Sequence, residues 1–277
     1  EQLPKYAIGF ATISNQQILA MNDAEESENR IHSDEIAEKY GFTGALVSGV
    51  NVFGYLTQSL VKAFGPAFLK QGIMDVIFLK PAYQDDLLTI KTEESRSETS
   101  KRNCVTSLSN EKGLLLAKLE SWLPRELPPV NALAAMVCEH KEIVRAEIEW
   151  DLIVLQRPAP AFTWQPSHEE NQEHVTAQRD RAACYEGTAG HIHPYFLLDA
   201  CNQALMRLFV LPAWIHTGSK ITLRAPLLVG QSIEIKTVPI DKWERKAHQF
   251  IKLYIAMFVE GKVVAEIEHT AIFRIAS

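Results

Sequence analysis

The sequence predicts an α+β protein built from two copies of one unit. The first observation is an internal repeat: when the chain is shifted along itself by 145 residues, Pro81 falls on Pro226 and Lys91 falls on Lys236. The second observation is that residues 49–64 and 194–210 are apolar runs of helix length. Because a helix that is apolar on nearly all sides must be covered, we expect an antiparallel sheet to wrap around each helix.

After its helix, each copy is predicted to continue into a meander of strands. Turns that carry Gly113 and Gly261 join the last two strands of the two copies, since glycine supplies the positive φ that a hairpin needs. The predicted extended segments are 74–78 running on through 87–92, 103–108 and 114–122 in the first copy, and 221–223 with 232–238, 250–259 and 263–274 in the second.

The repeat divides the chain into two predicted domains, residues 1–125 and residues 147–277. A linker at 126–146 joins them and begins with a Pro-rich segment. We expect a helix over residues 131–147, which has a surface of mixed charge.

Composition argues against several classes of function. The chain has 28 Lys and Arg against 34 Asp and Glu, with no basic cluster, so nucleic acid and anionic membranes are not expected partners. The four cysteines lie far apart without a CxxC pair, which favours a reducing compartment. We see no signal peptide and no uninterrupted membrane span, and we expect a cytoplasmic protein.

No metal and no other cofactor is expected. His191 and His193 resemble a pair of metal ligands on an extended strand, but no third or fourth ligand is suggested nearby. The chain also lacks the glycine-rich motifs of dinucleotide and nucleoside-triphosphate sites and the GxSxG of serine hydrolases.

The segment before the first apolar helix, residues 29–50, reads NRIHSDEIAEKYGFTGALVSGV. It resembles the overhanging segment of the MaoC-like (R)-specific enoyl-thioester hydratases, D-x-N-P-x-H-x-D followed by a short helix and G-F-x-G-x-[IL]-V-H-G-M. The resemblance implies a double hot-dog fold, in which a sheet wraps each central helix. The matching residues are Asn29, His32, Asp34, Gly41, Phe42, Gly44, Leu46, Val47 and Gly49.

Hydration of an enoyl thioester needs a proton acceptor, a proton donor and a group that binds the thioester oxygen. The resemblance implies that His32 is the acid/base residue and that Asn29 orients water or the imidazole. The backbone N–H of Gly49, at the start of the buried helix, would bind the carbonyl oxygen. The sequence departs from the family at Ser27, which stands where the family has its catalytic Asp, and at Arg30, which stands where it has Pro.

A second catalytic group is expected from the second half. The stretch HPYFLLDACNQAL resembles the polyketide synthase dehydratase domain, and its Asp199 stands at the position of that family's catalytic Asp, while Lys39 stands at the position of its His. The sequence therefore predicts that His32 and Asp199 face a common cleft between the halves. The residues expected to contact substrate are Ser48, Gly49, His193 and Gln203.

Structural interpretations of the same residues stay open. Asp199 could pair with Arg207 instead of taking part in catalysis, and Asn29 could be a turn residue. Ser48, which replaces a His of the family, is favoured as a helix cap. Trp214 and His216 are interpreted as sheet-face residues in cross-strand pairs rather than as pocket residues.

The expected function is a cofactor-independent hydro-lyase, which interconverts 2-enoyl and 3-hydroxyacyl thioesters carried on CoA or on acyl carrier protein. A hot-dog thioesterase and a non-catalytic acyl-thioester-binding protein are the alternatives, because a fold does not decide between them. Whether the chain forms a homodimer is left open.

Overall fold

The computed structural model describes residues 9–95 and 102–276. Within these residues, the first half of the chain contains the following elements in order: β1 (Phe10–Leu19), α1 (Asp34–Lys39), α2 (Gly49–Phe64), α3 (Phe68–Gln71), β2 (Ile73–Phe78), β3 (Leu87–Ser95), β4 (Arg102–Ser109) and β5 (Leu115–Leu123).

The second half repeats this plan, with additions at its beginning. Its elements in order are β6 (Ala146–Glu147), β7 (Phe162–Trp164), α4 (His168–Ala177), α5 (Tyr195–Leu208), β8 (Phe209–Val210), β9 (Ile215–Leu223), β10 (Ile233–Arg245), β11 (His248–Val259) and β12 (Lys262–Arg274).

Among the described residues, ten strands form one antiparallel sheet in the order β1-β3-β4-β5-β2-β9-β12-β11-β10-β7. The halves are joined at β2 and β9, where Asp75 lies opposite Lys220 and Val76 lies opposite Ser219. This confirms the predicted α+β architecture with both sheets joined into one. Strands β6 and β8 form a separate short parallel pair.

One strand prediction is wrong. The segments 74–78 and 87–92 do not run on as one strand, since β2 pairs with β5 and β9 whereas β3 pairs with β1 and β4. The chain turns between them because Pro81 has no N–H to give to a strand ladder. The turn itself has Asp85 at φ 65°, and the Asp86 carboxylate accepts the N–H of Tyr83 at 2.9 Å.

The repeat seen in the sequence reappears in the hydrogen bonds. Val47 N–H donates to the carbonyl of Ala82 at 2.9 Å, and 145 residues later Ile192 N–H donates to the carbonyl of Leu227 at 2.9 Å. Both bonds hold the segment before a buried helix against a loop, the one after β2 in the first half and the one after β9 in the second. The same interaction therefore fixes the start of each helix relative to the sheet.

Helix α2 is the buried helix of the first half. The Oγ atom of Ser48 accepts the N–H of Asn51 at 3.4 Å, which confirms Ser48 as the helix cap. The helix ends at Gly65, whose φ of 70° is in the region that glycine tolerates. Phe53 and Leu56 are fully buried, and the helix contacts both the sheet and α5.

The linker does not form the helix that was predicted over 131–147. It makes one 3-10 turn at Ala132–Ala135 and then runs without regular structure to β6. Leu133 and Met136 pack on a small apolar cluster that includes Tyr254, so the segment is held by contacts with the sheet. Val137 and Val144 stay 88% and 94% exposed, so the segment lacks the apolar packing that stabilises most helices in proteins.

The described part of the chain contains no helix that is long and apolar enough to cross a membrane.

Candidate active site

A cavity of about 350 Å³ lies between the beginning of α2 and the strand β9 of the second half. Most of its wall is apolar and a few polar groups converge on it, as is typical of small-molecule sites. Its polar side chains come from both halves of the molecule: Asn29, His32, Ser48, Lys80, Asn202, His216, Thr217 and His248.

His32 ends a 3-10 turn, Arg30–His32, at the wall of this cavity. Its Nδ1 lies 2.7 Å from the carbonyl oxygen of Leu46. Because a carbonyl only accepts, Nδ1 carries the proton of the neutral ring and Nε2 is left as the basic atom. Burial lowers the pKa of His32, while the Leu46 carbonyl and the charge of Asp23 oppose this effect. His32 is therefore a neutral base at pH 7.

Asn29 ties the overhang to the second half. Its Nδ2 donates to the carbonyl of Trp214 at 2.8 Å, and its Oδ1 accepts the N–H of Trp214 at 3.0 Å. Oδ1 also accepts the N–H of Ile31 and caps the 3-10 turn, so the turn role left open for this residue is present. The same Nδ2 lies 3.5 Å from Nε2 of His32, so the amide also faces the basic nitrogen.

Asp23 is a carboxylate that no motif predicted, and it lies close enough to His32 for the two charges to interact. Asp23 accepts a hydrogen bond from Nδ2 of Asn51, on the first turn of α2, at 2.7 Å. Partial desolvation raises the pKa of Asp23, while the Asn51 hydrogen bond and His32 act in the opposite direction. The carboxylate absent at Ser27 therefore has a candidate replacement four residues earlier in the chain. No motif spacing pointed to it, because Asp23 precedes the segment that carries the resemblance.

Gly49 is the first residue of α2 and lines the cavity. Within the described ranges its N–H makes no hydrogen bond, and it lies at the partially positive end of a sixteen-residue helix. A Cβ at this position would lie 3.2 Å from Nδ1 of His216 and 3.3 Å from Cε2 of Phe78. A side chain at this position would therefore crowd the His216 and Phe78 rings, which both line the cavity.

The predicted residues of the second half do not reach the cavity. Asp199 is half-buried on α5, and Gln203, one turn further on, is exposed. Neither residue lines the cavity that His32 lines, so the expected common cleft of His32 and Asp199 is not formed there. The reason is the orientation of α5, which turns Asn202 toward the cavity instead.

Asp199 nevertheless has an unusual environment. Burial raises its pKa to about 6, and the charges of Asp23 and Glu170 add to the effect. In the part of the chain that the structure describes, Asp199 makes no ion pair. Arg207, the partner considered in the sequence, lies over the ring of Phe162 at 4.1 Å instead.

His193 is fully buried and does not line the cavity. Its Nε2 lies 3.0 Å from the Asp180 carboxylate, and its Nδ1 accepts the N–H of Tyr195 at the start of α5. The residue is enclosed behind the helix start, so its expected contact with substrate gains no support from this geometry. Among the described residues, no group of three or more His, Cys, Asp or Glu side chains could hold a metal ion.

Trp214 and His216, in contrast, are cavity residues that the sequence did not predict. Both line the cavity, although the sequence favoured a sheet-face role for them. Strand β9 stands at the junction of the two halves, so the residues at its beginning face the start of α2. Only the pairing of β2 with β9 brings them there.

No protein-family model and no curated protein sequence matches this chain. Solved structures share its fold over nearly the whole length. A proposed MaoC-domain dehydratase of Chloroflexus aurantiacus superposes with a TM-score of 0.71 at 9% identity, covering 98% of this chain and 96% of that one. A conserved hypothetical protein of Mycobacterium tuberculosis with a double hot-dog fold gives 0.68 at 11% identity, covering 96% of both chains.

The fold is a double hot dog. A proposed oleoyl thioesterase of Lactobacillus plantarum shares the double hot-dog fold more distantly, with a TM-score of 0.53 at 9% identity over 97% of this chain and 98% of that one. At such identities the likeness concerns the fold, which hosts both types of protein. The activity must therefore be argued from the site.

Proposed function

We propose that this double hot-dog protein hydrates 2-enoyl thioesters to 3-hydroxyacyl thioesters, or catalyses the reverse dehydration, with the acyl group on CoA or on acyl carrier protein. One observation carries the proposal: the neutral base His32 lines the same apolar cavity as Gly49, whose N–H makes no hydrogen bond among the residues that the structure describes. The motif resemblance to MaoC-like hydratases and the fold shared with proposed dehydratases support it.

In the hydration direction, Nε2 of His32 takes a proton from water while the water oxygen bonds to the β carbon. The electrons of the double bond move toward the thioester, and the Gly49 N–H binds the carbonyl oxygen as it gains negative charge. The imidazolium of His32 then returns its proton to the α carbon. Water is thus added as OH at the β carbon and H at the α carbon.

In this proposal, Asp23 takes the role of the catalytic Asp of the MaoC-like hydratases, which is replaced by Ser27 in this sequence. Its charge raises the pKa of His32 and so stabilises the imidazolium that forms during the reaction. Asn51 holds Asp23 in place through the hydrogen bond from its amide. Asp199, the second group expected from the sequence, is left out of this step because, unlike Asp23, it does not act on the pKa of His32.

The second candidate is a thioesterase, and Asp199 favours it. A half-buried carboxylate on a central helix, with its pKa raised to about 6 and no ion pair in the described residues, could act as a base toward water at a thioester carbonyl. The proposed oleoyl thioesterase shows that the same fold occurs among proteins assigned to that class.

One assay separates the candidates. Crotonyl-CoA and longer 2-enoyl-CoAs are supplied, and both the conjugated enoyl absorbance and free thiol are followed. We expect the absorbance to fall without release of thiol, because hydration leaves the thioester intact. Thiol release that Asp199→Asn abolishes would establish the thioesterase instead. Silence in both signals at every chain length would favour a non-catalytic acyl-thioester-binding protein.

The His32→Ala variant tests the assignment of the base. Turnover should fall by about 10²- to 10⁴-fold, as is usual when a general acid/base group is removed, while the variant stays folded at the assay temperature. His248→Ala is the matched control, since His248 lines the same cavity but its Nδ1 already accepts the N–H of Ala276 at 2.9 Å. Equal loss of activity in both variants would contradict a specific role for His32.

A further inference from the structure

A chain of four hydrogen-bonded side chains runs behind the cavity wall. Nε2 of His216 lies 2.8 Å from Oγ of Ser219, and the same Oγ lies 2.8 Å from Nδ1 of His269. Nε2 of His269 lies 2.8 Å from Oδ1 of Asn202. His216 and Asn202 line the cavity at the two ends of the chain, whereas Ser219 and His269 are enclosed behind it, with 3% and 1% of their surface exposed.

These hydrogen bonds determine which nitrogen of each histidine ring carries the proton. Nε2 of His216 also lies 3.2 Å from the carbonyl oxygen of Gly218, which only accepts, so Nε2 carries the proton. The Ser219 hydroxyl can therefore accept from His216 and donate to His269, whose Nε2–H donates to Asn202. Burial lowers the pKa of His216 to about 3 and the pKa of His269 well below its usual value, so both rings are neutral near pH 7.

This arrangement leaves Nδ1 of His216 as a buried acceptor that has no partner among the described residues. The ring cannot turn away easily, because it packs against the rings of Phe78 and His269 at centroid distances of 4.8 Å and 4.1 Å. Nδ1 points toward the start of α2, where it would lie 3.2 Å from a Cβ on Gly49. A buried acceptor without a donor is costly, so a ligand that brought a hydrogen-bond donor to Nδ1 would remove this cost.

A ligand group that donates a hydrogen bond to Nδ1 of His216 must lie close to the ligand oxygen that the Gly49 N–H binds. A neutral acceptor would not bind the thioester oxygen, which itself only accepts and which suits the Gly49 N–H. In a 3-hydroxyacyl thioester, the hydroxyl group two carbons from the carbonyl is the donor within reach. A saturated acyl thioester has no donor in this part of the molecule, and the amide groups of the pantetheine arm lie beyond the sulfur.

We propose that His216 is the specificity-determining residue that accepts a hydrogen bond from the 3-hydroxyl group of the bound thioester. In hydration, the attacking water has two protons: His32 removes one, and His216 holds the other, which remains on the product hydroxyl. This inference rests on the proposed function, since it assigns the hydroxyl group of that reaction to one atom of the site. Ser219 acts as a positioning residue because it fixes the ring through Nε2.

The test is binding in a background that cannot turn over. In His32→Ala, the dissociation constants of 3-hydroxybutyryl-CoA and butyryl-CoA are measured by calorimetry. We expect the hydroxylated ligand to bind about 10-fold tighter or more, as a buried acceptor left unpaired by butyryl-CoA implies. Adding His216→Phe should remove this preference and leave the affinity for butyryl-CoA within about 2-fold of the parent.

Two further variants distinguish recognition of the hydroxyl group from a purely structural role of His216. His216→Asn places an amide oxygen near the position of Nδ1 and should restore part of the preference, which a merely structural role would not predict. His248→Phe changes another histidine of the cavity whose Nδ1 is already occupied, and it should keep the full preference. If His216→Phe does not fold, the comparison of Ser219→Ala with the parent replaces it, and a reduced preference is expected.

Equal affinity of the parent for the two ligands, or a preference that survives His216→Phe, would overturn the inference. Its failure is distinguishable from failure of the proposed function. If the wild type hydrates enoyl-CoA but no hydroxyl preference is found, only the assignment of His216 is lost. If no hydration occurs but a preference that depends on His216 is measured, the reaction is lost and the recognition of the hydroxyl group stands.

Discussion

The buried neutral histidine His216 should make the protein sensitive to acid, and His216→Phe measures how much. A histidine whose pKa is lower in the folded state binds its proton more readily when unfolded, so its contribution to stability is present above pH 6.5 and is lost as the pH falls. Burial lowers the pKa of His216 from 6.5 to about 3. At about 1.36 kcal/mol per pH unit, the loss between pH 6.5 and pH 5 amounts to about 2 kcal/mol.

The assay is urea unfolding followed by tryptophan fluorescence at pH 7.5 and at pH 5. Between these values, the free energy of unfolding of the wild type should fall by about 2 kcal/mol more than that of His216→Phe. The buried carboxyl of Asp199 acts in the opposite direction, but it is present in both proteins and cancels in the comparison. His140→Phe, which changes an exposed histidine of the linker, is the control. Equal acid sensitivity of wild type and His216→Phe would refute the reasoning.

Three further predictions concern the groups around the cavity. Asp199→Asn removes a carboxyl whose pKa is raised by burial to about 6, so at pH 7.5 it should stabilise the fold by about 1–3 kcal/mol, and urea unfolding should show this gain shrinking as the pH falls from 6 to 4. Asp23→Asn should move the acidic limb of the pH–rate profile for hydration to lower pH, since the charge of Asp23 raises the pKa of His32; an unmoved limb would exclude this coupling. Gly49→Ala places a methyl group 3.2 Å from Nδ1 of His216, so it should lower kcat/KM by about 10²-fold with only a small change in unfolding temperature, and unchanged kinetics would remove Gly49 from the site.

Local pattern was sufficient for the central helices and for part of the site. The apolar run at 49–64 needs no distant information to be helical, and Ser48 caps it through an atom three residues away. His32, Asn29 and Gly49 were found because one continuous segment carries all three, and each lines the cavity. The domain boundaries at residues 125 and 147 and the catalytic roles of these side chains stay predictions.

The tertiary structure alone decided which other groups lie near His32, Asn29 and Gly49. Asp23 reaches the vicinity of His32 because the loop after β1 is held by Asn51 on α2, and no periodicity encodes the path of such a loop. Asp199 looked suitable in the sequence, but the way α5 is turned keeps it away from the cavity. His193, which precedes α5, is enclosed beside the Asp180 carboxylate instead.

The sequence by itself determined the repeat, the two central helices and the motif with its histidine, because burial periodicity and capping act between residues that are close along the chain. The pairing of β2 with β9 and the contact of Asn29 with Trp214, 185 residues away, were decided only in the folded molecule. They place His216 opposite Gly49. Such contacts depend on the sheet register and on the packing of whole elements, and a one-residue change of register would turn the same side chains to the other face of the sheet.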